Sequence, residues 1–162
     1  MLFRRKKSGH DLIDEMARRT LIEADLTRTP EYVVENDVKD FTQLALHGVK
    51  LGGDAAEIPA DKIKETADSG WAFTSFVHCT DGTTFKVISG MVVEFFFPGV
   101  LFAERGLGTE ADVVRRLGKP NRIRQAKTGP VPIMKHLTYK KKHLIFDITA
   151  DGEVARVNVY GK

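Results

Sequence analysis

The run WAFTSFVHCTDGTTFKVISGMVVEFFF, residues 71–97, limits the possible folds of this chain more than any other segment. It is rich in β-branched and aromatic residues and is cut twice by two-residue turn signals, Asp81-Gly82 and Ser89-Gly90. Such pairs accept the left-handed backbone that a tight hairpin needs, so the spacing predicts three strands in antiparallel succession. The C-terminal stretch HLTYKKKHLIFDITADGEVARVNVYGK follows a similar plan. It predicts strands around residues 137–139, 144–149 and 154–160, with Asp151-Gly152 as the last turn.

Helices are punctuated differently. In GTEADVVRRLGKPNR, residues 108–122, Thr109 is a good N-cap whose hydroxyl can accept the Asp112 N–H, and Asp112 can reach back in a capping box. Val113, Val114 and Leu117 form one apolar stripe, Gly118 supplies a left-handed C-terminal residue, and Pro120 forbids continuation. An amphipathic N-terminal helix is expected over residues 9–26, capped by Ser8 and ended by the TRTPEY stretch. Residues 40–52 read as a strand. Residues 52–70 read as a short helical region interrupted by Pro59, with Asp54 as its cap.

The caps Asp54 and Thr109 stand 55 residues apart, and the turn glycines Gly90 and Gly152 stand 62 apart. The difference fits in KTGPVPI, a loop by composition. These spacings argue for an α+β fold built as two helix-plus-antiparallel-sheet repeats, residues 41–103 and 104–162, behind an N-terminal helix and linker at residues 1–40.

Thr109, Val113, Leu117-Gly118 and Pro120, followed by Tyr139, residues 144–147 and Asp151-Gly152, resemble the helical motif and terminal sheet of the SmpA/OmlA outer-membrane lipoproteins. The motif is similar to that of the β-lactamase inhibitor protein (BLIP), whose fold is two such repeats. The resemblance covers residues 106–160, about a third of the chain. It implies an antiparallel sheet presenting one face to a binding partner, without catalysis. The glycine spacing Gly106-Leu107-Gly108-Thr109 departs from the usual G-x-T opening, and no lipidated cysteine or export signal is recognised.

Cys79 is the one cysteine, so no internal disulfide framework exists and a reducing cytoplasm is the expected setting. No apolar run approaches the roughly 18 residues a membrane span requires. Charge is unevenly spread. Residues 31–68 carry nine acids against four bases, whereas residues 113–146 carry ten Arg and Lys and no acid.

Chemistry-bearing motifs are sparse. His78 and Cys79 are adjacent in a predicted strand, so they point to opposite faces and make no dyad. The remaining histidines show no spacing that would join them to a carboxylate cluster, and GVKLGGD lacks the Lys-Ser/Thr ending of a phosphate loop. Neither a metal, a cofactor nor a catalytic set is therefore expected. The basic residues Arg115, Arg116, Lys119, Arg122, Arg124, Lys140, Lys141 and Lys142 are candidates for binding a polyanion. The apolar run at residues 91–97 puts Phe96 on the face away from Phe95 and Phe97; with Trp71 and Phe73 these three are candidates for a protein partner.

The expected function is a non-enzymatic module that recognises a protein through a sheet face. The alternative is a nucleic-acid or anionic-surface binder using residues 115–142. Enzyme chemistry would require a cleft in which titratable groups converge in space.

Overall fold

The computed structural model describes residues 22–24, 26, 28–35, 38, 40–126 and 133–161. Most of the expected N-terminal helix lies outside these residues. Where it reaches them, Ile22–Ala24 form instead a short strand, β1, paired parallel to β2 (Leu44–Leu46). The stretch read as a helix stop begins a helix, α1 (Arg28–Glu35). Pro30 sits in its first turn, where a backbone N–H has no intrahelical acceptor to lose. Residues 40–52 are a 3-10 turn, Phe41–Gln43, followed by a tight hairpin of β2 and β3 (Val49–Lys50), not one strand.

The region read as helical after Asp54 is mostly not helical. Asp54 does cap, accepting the Ala56 N–H at 2.9 Å, but over a single 3-10 turn, Ala55–Glu57. Pro59 then enforces extended backbone, a second 3-10 turn follows, and Ile63–Asp68 become strand β4. Pairing with the next strand outweighs the local helical signal.

β4 opens an eight-stranded antiparallel sheet. It continues through β5 (Thr74–Cys79), β6 (Thr84–Ile88), β7 (Met91–Pro98), β8 (Arg122–Gln125), β9 (Ile133–Tyr139), β10 (Leu144–Thr149) and β11 (Val154–Tyr160). The strand order is 4-5-6-7-11-10-9-8, so two four-stranded meanders meet edge to edge at β7 and β11. The turn between β6 and β7 holds both Ser89 and Gly90 at positive φ, 51° and 77°, the primed geometry expected of that pair. The two boundary-separated halves thus share one continuous sheet.

Two short helices connect the meanders, α2 (Gly99–Ala103) and α3 (Glu110–Leu117). Thr109 Oγ1 accepts the Asp112 N–H at 3.2 Å and Gly118 closes the far end at φ 80°. The Asp112 carboxylate takes Arg115 at 2.7 Å. Val113 is fully buried, but Val114 is exposed, which narrows the expected stripe.

The halves also repeat a backbone pattern. Ala55 N–H donates to Gly90 O and Val92 N–H to Gly53 O; Glu110 N–H donates to Gly152 O and Val154 N–H to Gly108 O. In each half the capping residue, Asp54 or Thr109, bridges antiparallel to the residue that follows the turn glycine, Met91 or Glu153. The core lies between the sheet and the helices with the small sheet. Phe85, Phe95, Phe97, Phe102, Phe146 and Leu137 fill it with no exposed surface beyond 1%.

Candidate functional site

Strand alternation sends one set of side chains into this core and the other set to the opposite sheet face. Register then arranges that second set in rows. One row runs Arg122, Thr138, Ile145, Asn158, Phe96, Thr84 and His78. The next runs Arg124, His136, Asp147, Arg156 and Pro98. A third runs Tyr160, Glu94, Lys86 and Phe76. A groove of about 570 Å³ lies along this face, lined by Lys86, Arg122, Arg124, Lys140 and Arg156 together with Phe76, Phe96, Glu94 and Asn158.

Asp147 anchors the groove floor. Its carboxylate is completely buried, a position that an unpaired charge does not tolerate. His136 Nδ1 meets Oδ1, Arg156 Nε donates to Oδ2, and Asn158 Nδ2 donates to Oδ2 at 3.1 Å. These partners fix the His136, Arg156 and Asn158 side chains as a unit. Asn158 Oδ1 is left buried with no hydrogen-bond partner among the described residues. A buried acceptor of that kind is suited to an N–H or O–H brought from outside.

Glu94 stands beside it, mostly buried, with Lys86 Nζ 3.9 Å away. Burial pushes its carboxyl up to about 7; Lys86 and Arg156 oppose that rise and Asp147 adds to it. The aromatic component is continuous: Phe76 and Phe96 have ring centroids 6.0 Å apart. Phe76 and Lys86 also line a neighbouring depression of about 570 Å³ whose outer wall is Trp71.

The sequence-predicted candidates are distributed unevenly over this geometry. Trp71 and Phe73 are 80% and 81% exposed at the turn before β5. Phe96 lies on the groove face as alternation required, whereas Phe95 and Phe97 are core residues and out of a partner's reach. The basic tract does not make one surface. Arg122, Arg124 and Lys140 line the groove. Arg115 and Arg116 belong to α3, which packs through Val113 on the core side, and Lys119 follows it. Lys142 is a structural residue: its Nζ donates to Val38 O at 3.1 Å and lies 5.9 Å from the Phe41 ring centroid. Lys141 is exposed in the turn between β9 and β10 and lines none of these depressions.

Spacing along the chain joins no histidine to a carboxylate, but the fold brings two such pairs together. His136 meets Asp147, and His47 Nε2 lies 2.9 Å from Asp81. Sheet register joins the first pair and packing of the small sheet on the β5–β6 turn joins the second. Neither is a helical or alternating spacing. His78 and Cys79 do face opposite ways: His78 Nδ1 meets Thr84 Oγ1 at 2.9 Å on the groove face, and Cys79 is in the core.

The sequence signal for the groove was the alternation within LIFDIT and VARVNVY. It puts Asp147 on one face of its strand, and Arg156, Asn158 and Tyr160 on one face of theirs.

Fold and site together define an α+β protein with one face of an antiparallel sheet left as a charged, aromatic groove. No helix among the described residues is long and apolar enough to cross a membrane. No family model matches the chain, and no curated protein does. Among solved structures, a DUF4309 family protein (YjgB) from Bacillus subtilis is similar over 59% of this chain and 68% of its own, at 17% identity and a TM-score of 0.40. That likeness is too distant to bear on function.

Proposed function

We propose that this chain is a non-catalytic binding module that takes an extended acidic segment of a protein partner along the open sheet face. The observation that carries this reading is the groove itself. Five cations, Lys86, Arg122, Arg124, Lys140 and Arg156, surround Phe76 and Phe96, and the unpaired Asn158 Oδ1 lies among them. The cations complement acidic side chains, the rings give apolar contact, and Asn158 accepts a main-chain N–H. A DNA backbone offers no such donor. The split of the basic tract also weighs against nucleic acid as the ligand.

The repeated backbone pattern around Asp54 and Thr109 supports a tandem architecture of the β-lactamase-inhibitor-protein kind, an architecture that agrees with binding rather than turnover. A single buried thiol suits the reducing cytoplasm, where we place the chain.

NMR titration of the full chain with a synthetic acidic peptide containing aromatic residues tests the proposal, with a single-stranded DNA oligonucleotide of equal charge as the second arm. Shifts concentrated on β6 to β11, β10, β9 and β8, with the peptide preferred, support it. Preference for the oligonucleotide, or shifts centred on α3, transfers the function to polyanion binding. A second reading, proton transfer by Glu94, rests on its place in the groove wall beside Lys86, where burial pushes its carboxyl up to about 7. It requires turnover of a small molecule that Glu94→Gln abolishes.

A further inference from the structure

Away from the groove, three side chains with metal-ligating chemistry converge where the β2–β3 turn meets the β5–β6 turn. One ligand atom each from His47, Cys79 and Asp81 lies within 4.8 Å of the other two. We propose that these three residues form a site for a zinc-class divalent cation, with solvent as the fourth ligand.

The donor set suits that ion. Imidazole, thiolate and carboxylate are the three protein ligand types zinc uses, and a thiolate with a carboxylate balances a dication. Asp81 is already oriented: its Oδ1 accepts the Thr83 N–H at 3.0 Å and the Thr83 hydroxyl at 2.6 Å, while Oδ2 faces His47 at 2.9 Å. Carboxylate ligands are commonly held this way by a neighbouring donor. Access is available too. Cys79 is buried, but the His47 and Asp81 side chains are 16% and 24% exposed, so an ion can enter from the loop side.

The required movement is small. Bonds of about 2.0–2.3 Å around a tetrahedral ion put ligand atoms roughly 3.3–3.8 Å apart. The His47–Asp81 pair, at 2.9 Å, opens slightly to that spacing, and the approaches to Cys79, within 4.8 Å, close by about 1 Å. An ion bound here would staple the small sheet, through His47, to the large sheet, through the β5–β6 turn.

Cobalt titration of the chelator-stripped full chain tests the site. The expected result is a thiolate-to-cobalt charge-transfer band that saturates at one equivalent and is displaced by zinc. Cys79→Ser abolishes the band. His47→Asn, chosen because Asn tolerates the positive φ of 50° found there, weakens uptake roughly tenfold or more and removes the zinc-induced rise in Tm. Absence of the band, or uptake by His47→Asn equal to that of the native chain, overturns the proposal. His47 lies in a surface turn, so this arm does not depend on whether the Cys79 substitution disturbs the core.

Discussion

The guanidinium carbon of Arg156 lies 4.8 Å from the centroid of the Phe96 ring, and the same side chain donates through Nε to the buried Asp147. One arginine therefore joins the groove's charge to its aromatic surface. Arg156→Met leaves Asp147 short of a donor. Breaking a fully buried pair costs about 3–5 kcal/mol; because the Arg156 side chain is 38% exposed, solvent screening reduces the expected loss to about 2 kcal/mol. Urea denaturation at pH 7 measures it, and an unchanged midpoint would remove Asp147 as the organising residue.

Glu94 makes stability depend on pH in an unusual direction. Its folded carboxyl is pushed up to about 7 from an ordinary 4.5, so the folded chain holds that proton more tightly than the unfolded chain does. The contribution is fully present below about pH 4.5 and is lost as pH rises through 7. Glu94→Gln removes this dependence, so the variant gains on the native chain between pH 5 and pH 8, by on the order of 1–3 kcal/mol. Denaturation midpoints of both proteins across that range check the sign; parallel curves would show that Glu94 is not raised.

Tyr139 Oη donates to Gly118 O at 2.8 Å, tying the end of α3 to β9. Burial pushes its hydroxyl up to about 12. Tyr139→Phe and the cap variant Thr109→Ala are each expected to lower stability by about 1 kcal/mol. Neither should weaken binding in the groove, which α3 does not line. Loss of binding with unchanged stability in Thr109→Ala would give that helix a functional role.

Gly99 has no room for a side chain. A Cβ placed there would sit 2.0 Å from Val154 O, a backbone atom of β11. Gly99→Ala must push α2 from the sheet, at a cost of about 3 kcal/mol or more. Circular dichroism melting checks this, and a native-like Tm would mean that the α2 connection shifts without resistance.

The hairpins were legible because their information is local. Ser89-Gly90 and Asp151-Gly152 dictate turns regardless of what packs on them, and the bounds of β10 and β11 followed from alternation. The cap at Thr109 was readable for the same reason. β4 was not, since KIKETAD is polar and becomes a strand by pairing with β5 at the sheet edge. β8 was hidden among basic residues read as surface charge. The groove needed register across strands, which one sequence does not specify: nothing near Asp147 in the chain announces that His136 and Arg156 flank it. Phe95 and Phe97 of the expected partner patch lie in the core because an apolar face was available for them inside.

The decisive measurement is the affinity of the full chain for a fluorescent acidic peptide at two salt concentrations, read by anisotropy, with quenching of the lone Trp71 as an internal report. The native chain should bind more tightly at low salt. Arg122→Glu combined with Arg124→Glu should weaken binding at least tenfold, while Arg115→Glu combined with Arg116→Glu should change it less than twofold. Equal losses in the two double variants, or no binding by the native chain at low salt, would contradict the assignment of function to the open sheet face.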